Sequence, residues 1–474
     1  MSDHPAIKTF GELKQAGYRQ RGVREEIRLN LLSSLRSRKP LFSGIHGYED
    51  SVIPAIENAL LCGQDLLFLG ERGQGKSRLI RALVQLLDEW VPEVAGSEVH
   101  DDPFAPVSAY GKTAILQHGD DTEIHWVHRD ERFGEKLATP DVSTADLIGD
   151  VDPMKVVEGR SLSDELTMHF GLLPRTNRGI FCINELPDLT EKIQVALFNV
   201  MEERDVQIKG YRVRLPLDVV VVASANPEDY TSRGRIVTPL KDRYAAQIRT
   251  HYPKTRELEL EIVEQEAEVA GVEGIETFIP DFMKRIVAEL TFQARTSPDI
   301  SQASGVSVRL SIANYETLAA NALRRALYNG DGQAVPRISD LGALNASIAG
   351  KLEFEYAASS RSEGEIIEEL LKRATRTVFD QLADSPEVYQ PIVDAFNQGW
   401  MVEITDMTPA REFVEGMDKI GGLREAAMKL AGGDSPARLS SAIEFIFEGL
   451  HLSNKLNKTS TEQGAMYGEG GSPE

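Results

Sequence analysis

Three short apolar runs stand out from an otherwise mixed chain. Residues 65–69 (Asp-Leu-Leu-Phe-Leu), 179–183 (Gly-Ile-Phe-Cys-Ile) and 217–225 lack the alternation of a half-exposed strand. They read as strands of a parallel sheet buried on both faces. Segments of helical period separate them. Leu79, Leu83, Leu86 and Leu87 predict a helix over 78–90, and Ile193, Leu197, Val200 and Met201 predict one over 190–203. A further helix is expected over about 50–61. Upstream of it, Ile27, Leu31, Leu32 and Leu35 form one face of a helix that stops before Pro40. After Pro253 the pattern becomes purely helical and rich in Glu and Ala, over 254–270, 281–295 and 307–328. More helices follow in 335–452, broken at 330–336, 385–386 and 432–436. Strands alternating with helices, then helices alone, predict an α/β core followed by all-α structure.

Composition narrows the class. The length of 474 residues allows two to three domains, and 41% hydrophobic with 27% charged residues is the balance of a soluble globular protein. No apolar run is long enough to span a bilayer, and Met1 to Phe10 lacks the apolar centre of a signal peptide. The two cysteines, Cys62 and Cys182, lie in apolar stretches and are expected as buried, reduced thiols of a cytoplasmic protein. A formal net charge of −22 disfavours a nucleic-acid-tracking surface. The exception is residues 1–40, where Lys14, Arg19, Arg21, Arg24, Arg28, Arg36, Arg38 and Lys39 gather. That segment reads as a helical leader docking on its own or a neighbouring subunit. Residues 91–143 read as acidic and irregular. Their histidines (His100, His118, His125, His128) lack the short spacing of a zinc motif, so they read as solvated. Residues 458–474, rich in Gly, Ser, Thr and Glu, are expected to be disordered.

The chemistry concentrates at the ends of the apolar runs. Gly70-Glu71-Arg72-Gly73-Gln74-Gly75-Lys76-Ser77 matches G-x-x-x-x-G-K-[ST] in full, between a predicted strand and a predicted helix. The glycines let backbone N–H groups curl around an anion, and the helix N-terminus adds positive charge. Gly70, Gly73, Gln74, Gly75 and Lys76 are thus candidates to hold the phosphates of ATP. Lys76 reaches the β- and γ-phosphates, and the Ser77 hydroxyl ligates Mg²⁺. Ile45 and Gly47, just before the first core helix, are candidates to contact adenine. The second run ends in Asn184-Glu185, where P-loop ATPases normally carry Asp-Glu. Asn184 can still hold a Mg²⁺-bound water but brings no charge, while Glu185 can polarise the attacking water. Asn226 ends the third run, where an amide can orient that water. Arg233, Arg235 and Arg243 follow in a loop and helix, as candidates to support a γ-phosphate. Residues 206–215 alternate apolar and polar around Lys209-Gly210, a hairpin signature.

In this order the motifs resemble the AAA+ ATPases, and within them the magnesium-chelatase I-subunit and MoxR group, over about residues 42–315. Phe42–Gly47 is similar to the group's entry segment, Asp146–Gly149 with Gly171-Leu172-Leu173 to its insert, and 206–215 to its hairpin before sensor 1. The resemblance implies sensor 1 at Asn226, an arginine finger at Arg243 acting on a neighbour's nucleotide, and a sensor 2 arginine at Arg309. It further implies a ring, expected as a hexamer, and a partner protein with a von Willebrand factor A domain. The expected organisation is a basic leader (1–40), a nucleotide-binding core (41–252) with inserts at 91–143 and 144–178 and the 206–215 hairpin, a helical lid (253–330), a C-terminal helical region (331–457) and a tail (458–474).

The leading reading is therefore an ATP-hydrolysing ring that remodels a protein client, without nucleic acid or membrane. A nucleotide-dependent scaffold with little or no hydrolysis is the rival, resting on Asn184. A motor subunit for porphyrin metallation is a narrower variant, since no porphyrin site is visible. A nucleic-acid motor would use Lys209, Arg212 and Arg214, against the prevailing acidity. The Gly-Ala-Phe-Thr-Gly-Ala loop of enhancer-binding activators is absent.

Overall fold

The computed structural model describes residues 6–152, 165–203, 215–226, 234–302, 304–355, 361–405, 408–461 and 464–469. They fall into two compact units, Met1–His251 and Tyr252–Glu474.

The first unit is built on a five-stranded sheet of β1 (Leu66–Leu69), β4 (Phe133–Leu137), β7 (Gly179–Asn184), β8 (Val219–Ala225) and β9 (Ala246–Arg249), in the order β4-β7-β8-β1-β9. Every pairing in it is parallel. Successive side chains of a strand face opposite ways, and each apolar run divides accordingly. Leu66, Phe68, Ile180, Cys182, Val220 and Val222 enter one core with α2 (Val23–Ser37), α3 (Val52–Leu61) and α4 (Lys76–Ala82). Leu67, Leu69, Phe181, Ile183, Val221 and Ala223 enter the other with α6 (Glu191–Glu203) and α7 (Thr238–Arg243). Burial on both faces explains why these runs show no alternation.

The leader docks onto this sheet of its own unit. Val23, Ile27 and Leu31 of α2 are buried, whereas Leu35 is 40% exposed, so the contact face begins one turn earlier than the sequence pattern suggests. One buried and one partly buried ion pair anchor the helix. Glu26 accepts both Arg132 nitrogens at 2.9 and 2.7 Å, and Arg24 meets Asp65 at 2.7 Å. Removing one partner from such a pair is far costlier than the pair's net contribution.

Several expectations are corrected. Residues 91–143 are not irregular. They carry β2 (Trp90–Val94), α5 (Ala109–His118), β3 (Ile124–His128), antiparallel to β2, and the core strand β4. Their acidic residues serve local backbone groups. Buried Asp101 accepts from the Val107 and Ser108 amides at 2.6 and 2.8 Å and from the Ser97 and Ser108 hydroxyls. His100 and His125 share the Glu93 carboxylate at 2.7 and 3.1 Å. The helix expected to reach residue 90 ends at Ala82 in a short 3-10 turn, Leu83–Leu86. Cys62 is exposed at the end of α3, and only Cys182 is buried. In the 144–178 insert, β5 (Gly149–Val151) pairs antiparallel with β6 (Met168–Phe170). Gly149 has φ +128°, and a Cβ there would lie 2.4 Å from the His169 carbonyl oxygen, so glycine is required. Of the expected hairpin at 206–215, only Leu215 lies among the described residues, and Arg233 also lies outside them.

The second unit is organised around α15 (Pro436–Leu452), whose residues from Leu439 to Leu450 are all buried. A helix apolar on nearly every side belongs at the centre of a bundle. Around it pack α8 (Arg256–Glu266), α9 (Asp281–Ala294), α10 (Arg309–Asn329), α11 (Glu363–Leu382), α12 (Pro386–Asn397), α13 (Ala410–Met417) and α14 (Leu423–Ala431), sharing one core from Val263 to Tyr467. Phe445 stacks on Phe282 at 4.4 Å and meets Phe379 edge-on at 5.6 Å. Two short strands, β10 (Glu276–Thr277) and β11 (Gln333–Ala334), pair in parallel. The expectation of a purely helical region with a disordered tail is corrected. A three-stranded antiparallel sheet joins β12 (Val402–Thr405), β14 (Gly464–Glu469) and β13 (Leu456–Thr461) in that order. Each tail strand buries a single residue, Leu456 or Tyr467, which is too little for a composition rule to register. The Tyr467 hydroxyl donates to the buried carboxylate of Glu448, which also meets Lys458 at 2.7 Å.

Candidate functional site

The carboxyl ends of β1, β8 and β7 lie side by side, because Leu69 registers with Ala225 and Ala223 with Ile183. In a parallel α/β sheet this is the edge that delivers residues to a ligand. From β1 the chain enters the loop 70–75 and then α4. Gly73 and Gly75 have φ of +72° and +73°, in the left-handed region. Gly70 is required for another reason: a Cβ on it would lie 1.9 Å from Thr250 Oγ1 and 2.3 Å from Gln74 Oε1. Buried Lys76 donates to the carbonyl oxygens of Gly70 and Glu71, the latter at 2.9 Å, closing the loop on itself.

Residues that sequence reasoning missed brace this loop. Gln74 Oε1 accepts from the Glu71 amide at 3.1 Å and from Thr250 Oγ1 at 2.7 Å, tying the loop to the end of β9. The buried Tyr48 hydroxyl lies 2.7 Å from the Gln74 carbonyl and 2.8 Å from that of His251. Burial pushes the Tyr48 phenol up to about 12, so it remains a donor. A cavity of about 360 Å³ borders the loop, lined by Leu69, Gly70, Glu71, Gln74, Lys241, Arg249 and Thr250. Only the Gly, Gln and Lys-Ser positions carried a sequence signal. Tyr48, Arg249 and Thr250 are known as neighbours only through the fold.

Ser77 is exposed in the first turn of α4. Asn226 follows β8, buried, next to Ala225, whose carbonyl accepts the Gly70 amide at 3.1 Å. Asn184, the last residue of β7, is also buried. Its Oδ1 accepts from Ser224 Oγ at 3.2 Å and its Nδ2 donates to Glu135 Oε1 on β4. Glu185 follows with φ +55°, its amide donating to Ser224 Oγ at 3.2 Å. A left-handed non-glycine residue held this way at a strand end is a functional-site signature. Ser224 thus aligns both members of the Asn-Glu pair.

The remaining candidates have local settings of their own. Ile45 is half-buried against the α2–α3 core, and Gly47, at φ +83°, donates its amide to Glu49 at 3.1 Å. Arg243 closes α7 on the surface, paired with Glu202 and lying 5.1 Å from the Phe198 ring centroid. Arg309 is the exposed first residue of α10 in the second unit. Among the described residues no helix is long and apolar enough to cross a membrane.

The residues present fit a nucleotide with Mg²⁺. The left-handed glycines let the loop curl, Lys76 supplies a cation, and the strand ends offer hydroxyl, amide and carboxylate oxygens, the donors a hard divalent cation takes.

A parallel sheet in this strand order, with a glycine loop after β1 and an Asn-Glu pair on its neighbour but one, β7, is the AAA+ P-loop fold. Magnesium-chelatase I subunits are among its relatives. Magnesium-chelatase subunit ChlI of Nostoc sp. is 29% identical over 234 residues, covering 48% of this chain and 58% of that protein. ChlI of Anabaena variabilis is 30% identical over 207 residues, covering 43% and 57%. ChlI of Chlorella vulgaris is 28% identical over 261 residues, covering 52% and 68%. The chain therefore spans a little over half the length of the first two relatives. The MCM P-loop domain family matches residues 154–238. Among solved structures, a model of the complex between subunits BchI and BchD of magnesium chelatase is 21% identical, covering 70% of this chain and 98% of that one, at a TM-score of 0.36. NtrX from Brucella abortus is 17% identical, covering 73% and 66%, at 0.40. At these scores neither superposition adds to the sequence relationship.

Proposed function

We propose that the protein is an oligomeric ATPase of the magnesium-chelatase and MoxR type that uses ATP hydrolysis to remodel a protein partner. The observation that supports it most is the convergence of Lys76, the Asn184-Glu185 pair and Asn226 at the ends of three adjacent strands. Lys76 and the loop amides hold the phosphates. Ser77 and Asn184 hold Mg²⁺, which when bound offsets negative charge on the β- and γ-phosphates. Glu185 accepts the proton of the attacking water, and Asn226 orients that water. Ile45 and Gly47 border the base, and Arg309 acts as the sensor 2 arginine. Arg243, exposed and held by Glu202 and the Phe198 ring, can leave these surface contacts to serve a neighbouring subunit, since an exposed pair costs little to exchange. Activity then depends on ring assembly, with a hexamer expected. A companion with a von Willebrand factor A domain is the partner we expect, in the cytoplasm.

Steady-state ATP turnover measured against protein concentration tests this reading. Specific activity should rise with concentration, and both Glu185→Gln and Arg243→Ala should lower turnover by on the order of 10³ while leaving ATP binding intact. Arg243→Ala should not change Tm. ATP binding without turnover in the wild type would replace the motor with a nucleotide-dependent scaffold, the reading that Asn184 favours.

A further inference from the structure

The missing carboxylate of the Asn-Glu pair has a counterpart on the neighbouring strand. Glu135 lies on β4, in register with Cys182 of β7, and residues in register point to the same side of the sheet. Cys182 and Asn184, two apart, share that side, which is also the side covered by α4. Glu135 therefore faces the helix that begins with Lys76 and Ser77. Its Oε1 accepts the Asn184 amide, and its two oxygens receive Arg81 Nε and Nη2 at 2.8 and 3.0 Å. Arg81 stands four residues after Ser77, on the same face of α4 one turn on. Asp at 184 would bring its own charge; Asn184 instead binds a charge from the strand beside it.

We infer that Glu135 supplies the negative charge of the Mg²⁺ site that Asn184 lacks, with Arg81 as the cation that holds it meanwhile. This rests on the ATP reading above. The Arg81 side chain is 64% exposed and that of Glu135 22%. With the Arg81 end open to water, the carboxylate can exchange this pair for a divalent cation. A bidentate pair serving only as a tether between β4 and α4 would not need the amide of Asn184 aimed at the same oxygen.

The test is the affinity of the full chain for a fluorescent ATP analogue, measured in EDTA and across a Mg²⁺ titration. Glu135→Gln should keep the EDTA affinity and lose about tenfold of the gain that Mg²⁺ confers, and adding Asn184→Asp to it should restore that gain. Arg81→Ala, which frees the carboxylate, should raise the gain about threefold. Mn²⁺ electron paramagnetic resonance of the nucleotide-bound protein should move in the same directions, without reference to turnover. If Glu135→Gln keeps the full Mg²⁺ gain, the inference is wrong although the ATP reading stands. If Arg81→Ala and Glu135→Gln lose the gain equally, Glu135 is a tether and the inference is again wrong. Should Glu135→Gln fail to fold, Arg81→Ala and Asn184→Asp decide between the same outcomes. Absence of nucleotide binding in both conditions overturns the ATP reading and this inference with it.

Discussion

The end of β1 and the end of β7 build the candidate site by opposite means. At β1, eight consecutive residues contain the whole device: glycines that adopt positive φ, a lysine that reaches back to Gly70 and Glu71, and a serine in the first turn of α4. At β7, the two site residues acquire their setting from elsewhere. Ser224 comes from β8, Glu135 from β4 and Arg81 from α4. A contiguous device tolerates little change because every residue is constrained by its chain neighbours. A device assembled from several strands can lose a residue at one position and recover its charge at another.

Substitutions at the two ends should separate these arrangements. The largest effect is expected from Lys76→Ala, which removes the only cation enclosed within the β1 loop; ATP affinity should fall on the order of a hundredfold in a direct binding titration. If affinity survives, Lys241 and Arg249, which line the adjoining cavity, carry the phosphates instead, and the contiguous-device picture fails. Ser224→Ala at the β7 end removes a hydroxyl that accepts the Glu185 amide and donates to Asn184. Losing both bonds should cost about 1–3 kcal/mol of stability by denaturant unfolding, with turnover reduced roughly tenfold. An unchanged protein would mean that the strands alone hold the pair.

The smallest effect sharpens the β1 side. Tyr48→Phe should cost about 1 kcal/mol, because one hydroxyl serves both the Gln74 and His251 carbonyls. Its pH dependence follows from the raised phenol pKa. The folded state keeps this proton up to about pH 12, whereas the unfolded tyrosine loses it near its ordinary value of 10.0. The contribution is fully present below pH 10 and falls away between pH 10 and 12, so the Phe variant should lose less stability than the wild type across that window. A variant that loses stability in parallel with the wild type would assign the alkaline transition to other groups.

The apolar runs at 65–69, 179–183 and 217–225 were legible because a strand buried on both faces needs apolar residues throughout, and each became a strand of the core sheet. The helices of the second unit were legible through their period. The acidic segment 91–143 was not, because carboxylates such as Asp101 are spent on nearby backbone amides, and His100 and His125 on Glu93. Composition counts such residues as solvated when they are structural. The tail was misread for a related reason: β13 and β14 are held by backbone pairing and one buried residue each.

The P-loop, its strand and its helix were settled by the order of residues alone, since left-handed glycines and a lysine a few residues downstream are local properties of a short segment. The Asn184 position was equally plain, but not its surroundings. Only tertiary structure brought Glu135 to Asn184, Tyr48 beneath Gln74 and Thr250 against Gly70, pairs separated by 49, 26 and roughly 180 positions. Such contacts depend on which strands become neighbours, and strand order is set by the packing of the whole unit rather than by any stretch within it.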